Sequence, residues 1–125
     1  MPGSDGPAIL LVEDDEDLRN AYRVVLSALG LRVETAATGE DALSLVDGGP
    51  PDAIVADLVL PGLAGPRLVQ RLREASTEAA LVVLTGHDND SLRKNCREAG
   101  ADAFLVKPVT ARELKGVLER LLRSA

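Results

Sequence analysis

Five side chains that could bind a metal ion and a phosphoryl group directly follow apolar runs of the sequence. Glu13 and Asp14 follow the first of these runs, and Asp57, Thr85 and Lys107 follow three later ones. Neighbouring carboxylates repel one another, so they favour a bound cation or a raised proton affinity. Oxygen ligands without His or Cys suit a hard cation such as Mg²⁺. A hydroxyl and an ammonium group suit phosphate oxygens, which makes one carboxylate a candidate nucleophile for phosphoryl transfer.

The apolar runs predict the elements that must bring these side chains together. Continuous apolar runs are typical of parallel strands buried on both faces, and residues at helical spacing separate them. From these runs we expect strands near residues 9–12, 53–56, 81–84 and 103–106, and the alternating residues 32–36 predict a half-exposed edge strand; a helix should follow each strand. This alternation predicts an α/β fold, a three-layer (βα)5 sandwich around a doubly wound parallel sheet. The carboxyl ends of parallel strands share one edge, where ligands bind, so the polar side chains should meet there.

Composition limits the functions that this chain can have. It has 125 residues, with 14 Lys plus Arg against 20 Asp plus Glu, a formal charge of −6. This length fits one domain, which we expect at residues 8–123 after a flexible tail at residues 1–7. The acidic balance and the 2% aromatic content argue against direct binding to nucleic acids or anionic membranes. No apolar stretch approaches the ~18 residues of a membrane span and no secretory segment opens the chain, so we expect a cytoplasmic location.

Two residues with reactive side chains have simpler explanations. Cys96 is the only cysteine, and packing in a helical stripe with Leu92 is favoured over a reactive thiol. His87 is the only histidine, and a solvated loop position is favoured over a role as general base. The sequence contains no glycine-rich nucleotide loop and no G-x-S-x-G hydrolase motif, so nucleotide binding and serine hydrolysis have no support.

Four segments, taken together, resemble the receiver domains of two-component response regulators. The segments similar to that family's acidic turn, phospho-acceptor loop, switch-hydroxyl strand and lysine-bearing last strand are Leu10–Asp15, Asp57–Gly65, Val83–Gly86 and Gly100–Pro108. Each motif alone is short, but their order and separations are specific, and the match runs from about Ala8 to Leu122. The resemblance implies a CheY-like, flavodoxin-type fold with strand order 2-1-3-4-5, and it makes residues 8–123 a receiver domain.

The resemblance also implies a role for each acidic residue. Asp57 would accept a phosphoryl group from a sensor histidine kinase or a phosphotransfer protein. Asp14 and Asp57 would contact Mg²⁺ directly and Glu13 would act through water, while the backbone carbonyl of Val59 would complete the protein's ligands. The chain would then be a signalling switch with self-catalysed transfer and autodephosphorylation, not an enzyme that turns over a substrate.

A second group of residues would convert phosphorylation into a change of shape. Thr85 and Lys107 would bind the phosphoryl oxygens, and the movement of Thr85 would let Phe104 turn inward. Phe104 stands where tyrosine is commoner in the family, so its ring offers no hydroxyl to a partner. The face formed by the fourth helix, the fifth strand and the fifth helix would then regulate a partner or an output domain. The bond between Lys107 and Pro108 is usually cis in this family.

Two other classes of protein share part of this pattern of residues. An aspartyl phosphatase would use the same chemistry, but those enzymes typically carry a second acid two residues after the nucleophile, where this chain has Val59. A receiver-like domain that only binds partners would usually lack the acceptor or the lysine, and Asp57 and Lys107 are both present. The chain ends at Ala125, which fits a single-domain regulator or the receiver of a longer protein whose output domain could bind DNA.

Overall fold

The structure is a computed structural model that describes residues 6–123. Its strands are β1 (Ala8–Val12), β2 (Arg32–Ala36), β3 (Ala53–Asp57), β4 (Ala80–Thr85) and β5 (Ala103–Val106). Its helices are α1 (Glu16–Ala28), α2 (Gly39–Asp47), α3 (Gly65–Ala75), α4 (Asp90–Ala99) and α5 (Ala111–Arg123). Each predicted strand and helix is confirmed, although Asp57 and Thr85 are the last residues of their strands rather than the first residues beyond them. Residues 1–5 of the predicted tail, which was expected at residues 1–7, lie outside the described residues.

The strands form one parallel sheet in the order β2-β1-β3-β4-β5, which confirms the predicted order. The direction of winding reverses beside β1, because the chain runs outward from β1 to β2 and then crosses back to β3. Such a reversal leaves a crevice outside the carboxyl ends of the two central strands, here β1 and β3. The fold therefore provides a ligand-binding edge where the acidic residues were expected.

Two hydrophobic clusters hold helices to opposite faces of the sheet. Successive strand residues point to opposite faces, so Leu10 joins one cluster and Ile9 joins the other. The first cluster contains buried residues of α2, α3 and α4, and the second contains buried residues of α1 and α5. The three predicted layers are thus confirmed. Among residues 6–123, no helix combines the length and the apolar character that crossing a membrane requires.

The two edge strands are less buried than the central ones. In β2, Arg32 and Glu34 are exposed and alternate with half-buried residues, as expected for an edge strand. In β5, all four residues are half-buried, although the sequence of this strand is as apolar as that of the centre. A strand at the edge has a neighbour on one side only, so its side chains remain partly accessible. This accessibility applies to Phe104, the aromatic residue of β5.

Side-chain caps fix where four of the helices begin. The carboxylate of Asp15 accepts a hydrogen bond from Leu18 N at 2.9 Å and so acts as the N-cap of α1. Thr38 caps α2, Asn89 caps α4 and Thr110 caps α5 in the same way. Because Asp15 directly follows the acidic pair, its cap also holds the turn that carries this pair next to the sheet.

One arginine forms several hydrogen bonds at the amino-terminal ends of the strands, opposite the polar residues of the site. The guanidinium group of Arg73, on α3, donates to the carboxylate of Asp102 at 2.9 Å. It also donates to four backbone carbonyls, those of Ser76, Thr77, Ala79 and Gly100. The same Asp102 oxygen accepts from Leu81 N at 2.9 Å, so the bonds reach both β4 and the approach to β5.

Cys96 lies fully buried on α4, within the cluster that packs α4 against the sheet. Burial raises the pKa of its thiol above the ordinary value of 9.0. A raised pKa means that the folded chain keeps the thiol proton at a pH where the unfolded chain loses it. The contribution of Cys96 to stability therefore falls as the pH rises through 9.0.

We predict that Cys96 reacts slowly with thiol reagents in the folded protein. At pH 8 the rate of modification should be at least about 100-fold lower than in the denatured chain. In the folded chain the sulfur is buried, and the raised pKa of the thiol leaves little of the reactive thiolate. A Cys96→Ala/Asn95→Cys variant places the thiol at an exposed position of the same helix and should react at nearly the denatured rate. Equal rates for the folded native chain and this variant would contradict the burial of Cys96.

Candidate functional site

The ammonium group of Lys107 joins two carboxylates that come from distant parts of the chain. Its Nζ atom lies 2.9 Å from Asp57 Oδ2 and 2.9 Å from Glu13 Oε1. Glu13 follows β1, Asp57 ends β3 and Lys107 follows β5, so the lysine side chain reaches across the carboxyl end of β4. The peptide bond between Lys107 and Pro108 is cis, as the resemblance implies. Glu13 and Asp57 are only 1% and 5% exposed, so both carboxylates have lost most of their contact with solvent.

The second oxygen of each buried carboxylate is held by a backbone amide. Asp57 Oδ1 accepts from Val59 N at 3.0 Å, and Glu13 Oε2 accepts from Asp15 N at 3.2 Å. Both donors lie in the turns that immediately follow the strands. Each carboxylate is therefore oriented from two sides, by its own turn and by Lys107.

Three carboxylates at this edge are close enough to share a metal ion. One oxygen from each of Glu13, Asp14 and Asp57 lies within 4.8 Å of the others. Together with Lys107 they carry a net charge of −2, which a divalent cation would neutralise. Asp14 is exposed, which leaves the cluster open to solvent on one side. This all-oxygen set fits a hard divalent cation that keeps several water ligands.

Burial and ion pairing shift the pKa of two of these groups. Burial raises the pKa of Glu13, against the opposing hydrogen bond from Lys107. For Lys107, burial acts to lower the pKa, but the hydrogen bonds to Asp57 and Glu13 outweigh it and the pKa is raised. Lys107 therefore stays charged at neutral pH, and its ammonium is available to an anion at this site.

The other predicted site residues lie around this cluster. Thr85 is fully buried at the end of β4, and its hydroxyl oxygen accepts from His87 N at 3.0 Å. The carbonyl of Thr85 accepts from Lys107 N at 2.7 Å, which fixes the two residues side by side. Val59 is 59% exposed and presents an apolar side chain where a phosphatase would need an acid. His87 is exposed in the loop after β4, in agreement with the expectation for it.

One residue at this edge was missed by sequence reasoning. Arg19 Nη1 donates to the backbone carbonyl of Glu13 at 3.0 Å and to that of Asp14 at 3.4 Å. These bonds hold the acidic turn against the first helical turn of α1. The only signal in the sequence was an arginine four residues after Asp15. Its partners are backbone carbonyls, which every residue has, so the sequence could not show which ones it would bind.

The fold and the site together define a phosphoryl-handling module of the doubly wound α/β class. Residues 9–119 match the family model described as the response regulator receiver domain, and the chain belongs to this family. Receiver domains are signalling domains, so the chain is a phosphorylation-dependent switch that accepts a phosphoryl group on an aspartate.

Its relatives in sequence are response regulators. The chain is 39% identical over 117 residues to the transcriptional regulatory protein AfsQ1 of Streptomyces coelicolor, covering 94% of this chain and 52% of the relative. It is 39% identical over 115 residues to the response regulator MprA of Mycolicibacterium vanbaalenii, covering 92% and 50%. The chain thus spans about half the length of the curated relatives it matches.

Solved structures of receiver domains superpose closely on this one. The CheY-like receiver domain from Methanospirillum hungatei matches with a TM-score of 0.92 at 26% identity, covering 96% of both chains. The receiver domain of the Pseudomonas aeruginosa sensor histidine kinase PA1611 matches with a TM-score of 0.86 at 32% identity, covering 94% of this chain and 98% of that one. That structure has a magnesium ion coordinated in its active-site cleft, and the acidic cluster of this chain indicates a divalent metal site.

We predict that Lys107→Met lowers the free energy of unfolding by about 3 kcal/mol, because it leaves two buried carboxylates unpaired. Because the pKa of Lys107 is raised in the folded state, this stabilisation is fully present at pH values below the ordinary lysine pKa of 10.5. It is lost as the pH rises through the folded-state pKa. Urea unfolding at pH 7 in metal-free buffer measures the loss. Lys115→Met, at an exposed position of α5, should change the value by less than about 0.5 kcal/mol. Equal stability of the two variants would contradict the role of this ion pair.

Proposed function

We propose that Asp57 is the phospho-acceptor of this receiver domain and that Mg²⁺ is its cofactor. The observation that carries the proposal is the contact of one buried carboxylate with an ammonium group and an acidic cluster. In the reaction, an oxygen of Asp57 attacks phosphorus and forms an acyl phosphate bond, while the bond from phosphorus to the donor breaks and the donor keeps that electron pair. Later attack by water on phosphorus would restore the carboxylate and end the signal.

The residues of the cluster divide the tasks of this transfer. Asp14, Asp57 and the backbone carbonyl of Val59 would bind Mg²⁺ directly, and Glu13 would act through a water ligand. When bound, the metal ion would neutralise the charge that develops on the phosphoryl oxygens. The amide of Val59 already orients Asp57, so the attacking carboxylate is held in place before a donor arrives.

Thr85 and Lys107 would convert the new charge into movement. Phosphorylation replaces one negative charge by about −1.5 to −2 and adds acceptor oxygens. We expect the hydroxyl of Thr85 to leave His87 N for these oxygens, and Phe104 to turn inward. Changing an equilibrium from 1:99 to 99:1 needs about 5.5 kcal/mol, which a few charge-assisted hydrogen bonds of roughly 1.5–3 kcal/mol each can supply.

Membership in the family points to the partners that we propose for this chain. A sensor histidine kinase or a phosphotransfer protein would supply the phosphoryl group. The face made by α4, β5 and α5 would contact a target or an output domain. AfsQ1 is a transcriptional regulatory protein, so an output domain joined to this chain could bind DNA even though this acidic domain would not. We place the domain at residues 8–123 and the protein in the cytoplasm.

We predict that Asp57→Asn abolishes phosphorylation. Incubation with a small phosphodonor and Mg²⁺ should add one phosphoryl group to the native chain, in a base-labile bond, as intact mass spectrometry can measure. A chelator should prevent the addition. Asp47→Asn, which changes an exposed carboxylate on α2, should be labelled like the native chain. Undiminished labelling of Asp57→Asn would reject this assignment.

We predict that Thr85→Ala accepts the phosphoryl group but loses most of the conformational response. Amide chemical shifts of α4, β5 and α5 should move on phosphorylation of the native chain and of Thr85→Ser, which keeps the hydroxyl. In Thr85→Ala, the shift changes should be less than about half of the native ones, because a major hydrogen bond to the phosphoryl group is missing. A full native response from this variant would contradict the switching role of Thr85.

A further inference from the structure

Arg93 connects the loop after Thr85 to the ring of Phe104. This arginine lies on α4, and its Nη2 atom donates to Asp88 Oδ1 at 2.7 Å. Its guanidinium carbon also lies 4.6 Å from the centroid of the Phe104 ring, within the range of a cation–π contact. One side chain therefore contacts two segments, the loop between β4 and α4 and the edge strand β5.

Strand geometry places both of these segments next to the site. Val83 pairs with Phe104, and Thr85 pairs with Val106. Side chains alternate along a strand, so Thr85 lies on the same face of β4 as Val83, one position further toward the site. The Phe104 ring is half-buried and packs against the cluster that contains Val83. A movement of Thr85 toward Asp57 thus changes the space beside this ring.

We propose that Arg93 is a positioning residue that holds the half-buried ring of Phe104 and the loop after β4 in their unphosphorylated positions. The proposal rests on the proposed function, because it concerns the same conformational step. When Thr85 moves, Asp88 moves with the loop, only three residues away in sequence. When the ring turns inward, it withdraws its face from the guanidinium group. Both contacts of Arg93 are therefore made in one conformation and lost in the other.

A contact that is made in just one conformation stabilises that conformation. It therefore weakens the binding of any ligand that prefers the other conformation. The apparent dissociation constant of such a ligand rises as the competent fraction falls. Removal of Arg93 should consequently increase affinity for a phosphoryl group or its mimic, an effect opposite to that of general structural damage. Each contact alone is weak at a partly exposed site, so the increase should be about three- to tenfold.

The single phenylalanine of the chain allows a direct test. Fluorophenylalanine incorporated into the full chain gives one ¹⁹F resonance, at Phe104, and beryllofluoride with Mg²⁺ serves as the phosphoryl mimic. We expect Arg93→Met to bind beryllofluoride about three- to tenfold more tightly than the native chain. Without mimic or metal, the ¹⁹F resonance of this variant should move toward the position of the beryllofluoride-bound native protein.

Two further variants separate the contacts from general effects. Asp88→Asn removes the ion pair but leaves the guanidinium over the ring, so it should give a smaller gain in affinity in the same direction. Lys94→Met, at the next position of α4, removes an exposed cation that pairs only loosely with Glu98, at 3.8 Å, and should match the native chain. Unchanged or weaker binding by Arg93→Met, while the native chain responds normally, would overturn the role of Arg93. Absence of any response in the native chain would instead reject the proposed function.

Discussion

The pairing of Lys107 with two buried carboxylates is the constraint on which the site depends. The like charges on the buried carboxylates of Glu13 and Asp57 repel each other, and their burial is destabilising unless a cation pairs with them. The ammonium group supplies that cation, and it does so from a strand end that is not adjacent to theirs. The sheet order therefore has an electrostatic consequence: the two acids meet at the ends of the neighbouring strands β1 and β3, and the cation that pairs with both comes from the end of β5.

The remaining charge of the cluster explains how one site serves both a metal ion and an anion. Lys107 offsets only one of three carboxylates, so a divalent cation is still favoured. Once a cation is bound, the site is close to neutral and can accept the additional charge of a phosphoryl group. Arg19 holds the acidic turn through the backbone carbonyls of Glu13 and Asp14, and the carboxylate of Asp15 caps α1, so neither contact uses the side chains of the acidic pair.

Much of the fold and of the site could be predicted from the sequence, because strong local patterns specify them. Apolar runs identified four of the strands and alternation identified β2, while polar residues at the carboxyl ends of the apolar runs identified Asp57 and Lys107 as candidates. The half-burial of β5 was not predictable, since its apolar sequence does not differ from that of a central strand. Arg93 and Arg73 were also missed. Their partners are an aromatic ring, exposed acids and backbone carbonyls, which meet only after the chain has folded.

The hydrogen bonds of Arg73 hold the amino-terminal ends of the strands more firmly than the carboxyl ends on this side of the sheet. One guanidinium group holds the end of α3, the approach to β4 and the connection from α4 to β5 at the amino-terminal edge. Translating α4 or β5 as a rigid rod would require breaking several of these hydrogen bonds at once. Tilting α4 or β5 about this end would leave these hydrogen bonds intact. The displacement of the tilting element would then grow with distance from Arg73 and be greatest at the carboxyl ends of the strands, where the acidic cluster lies.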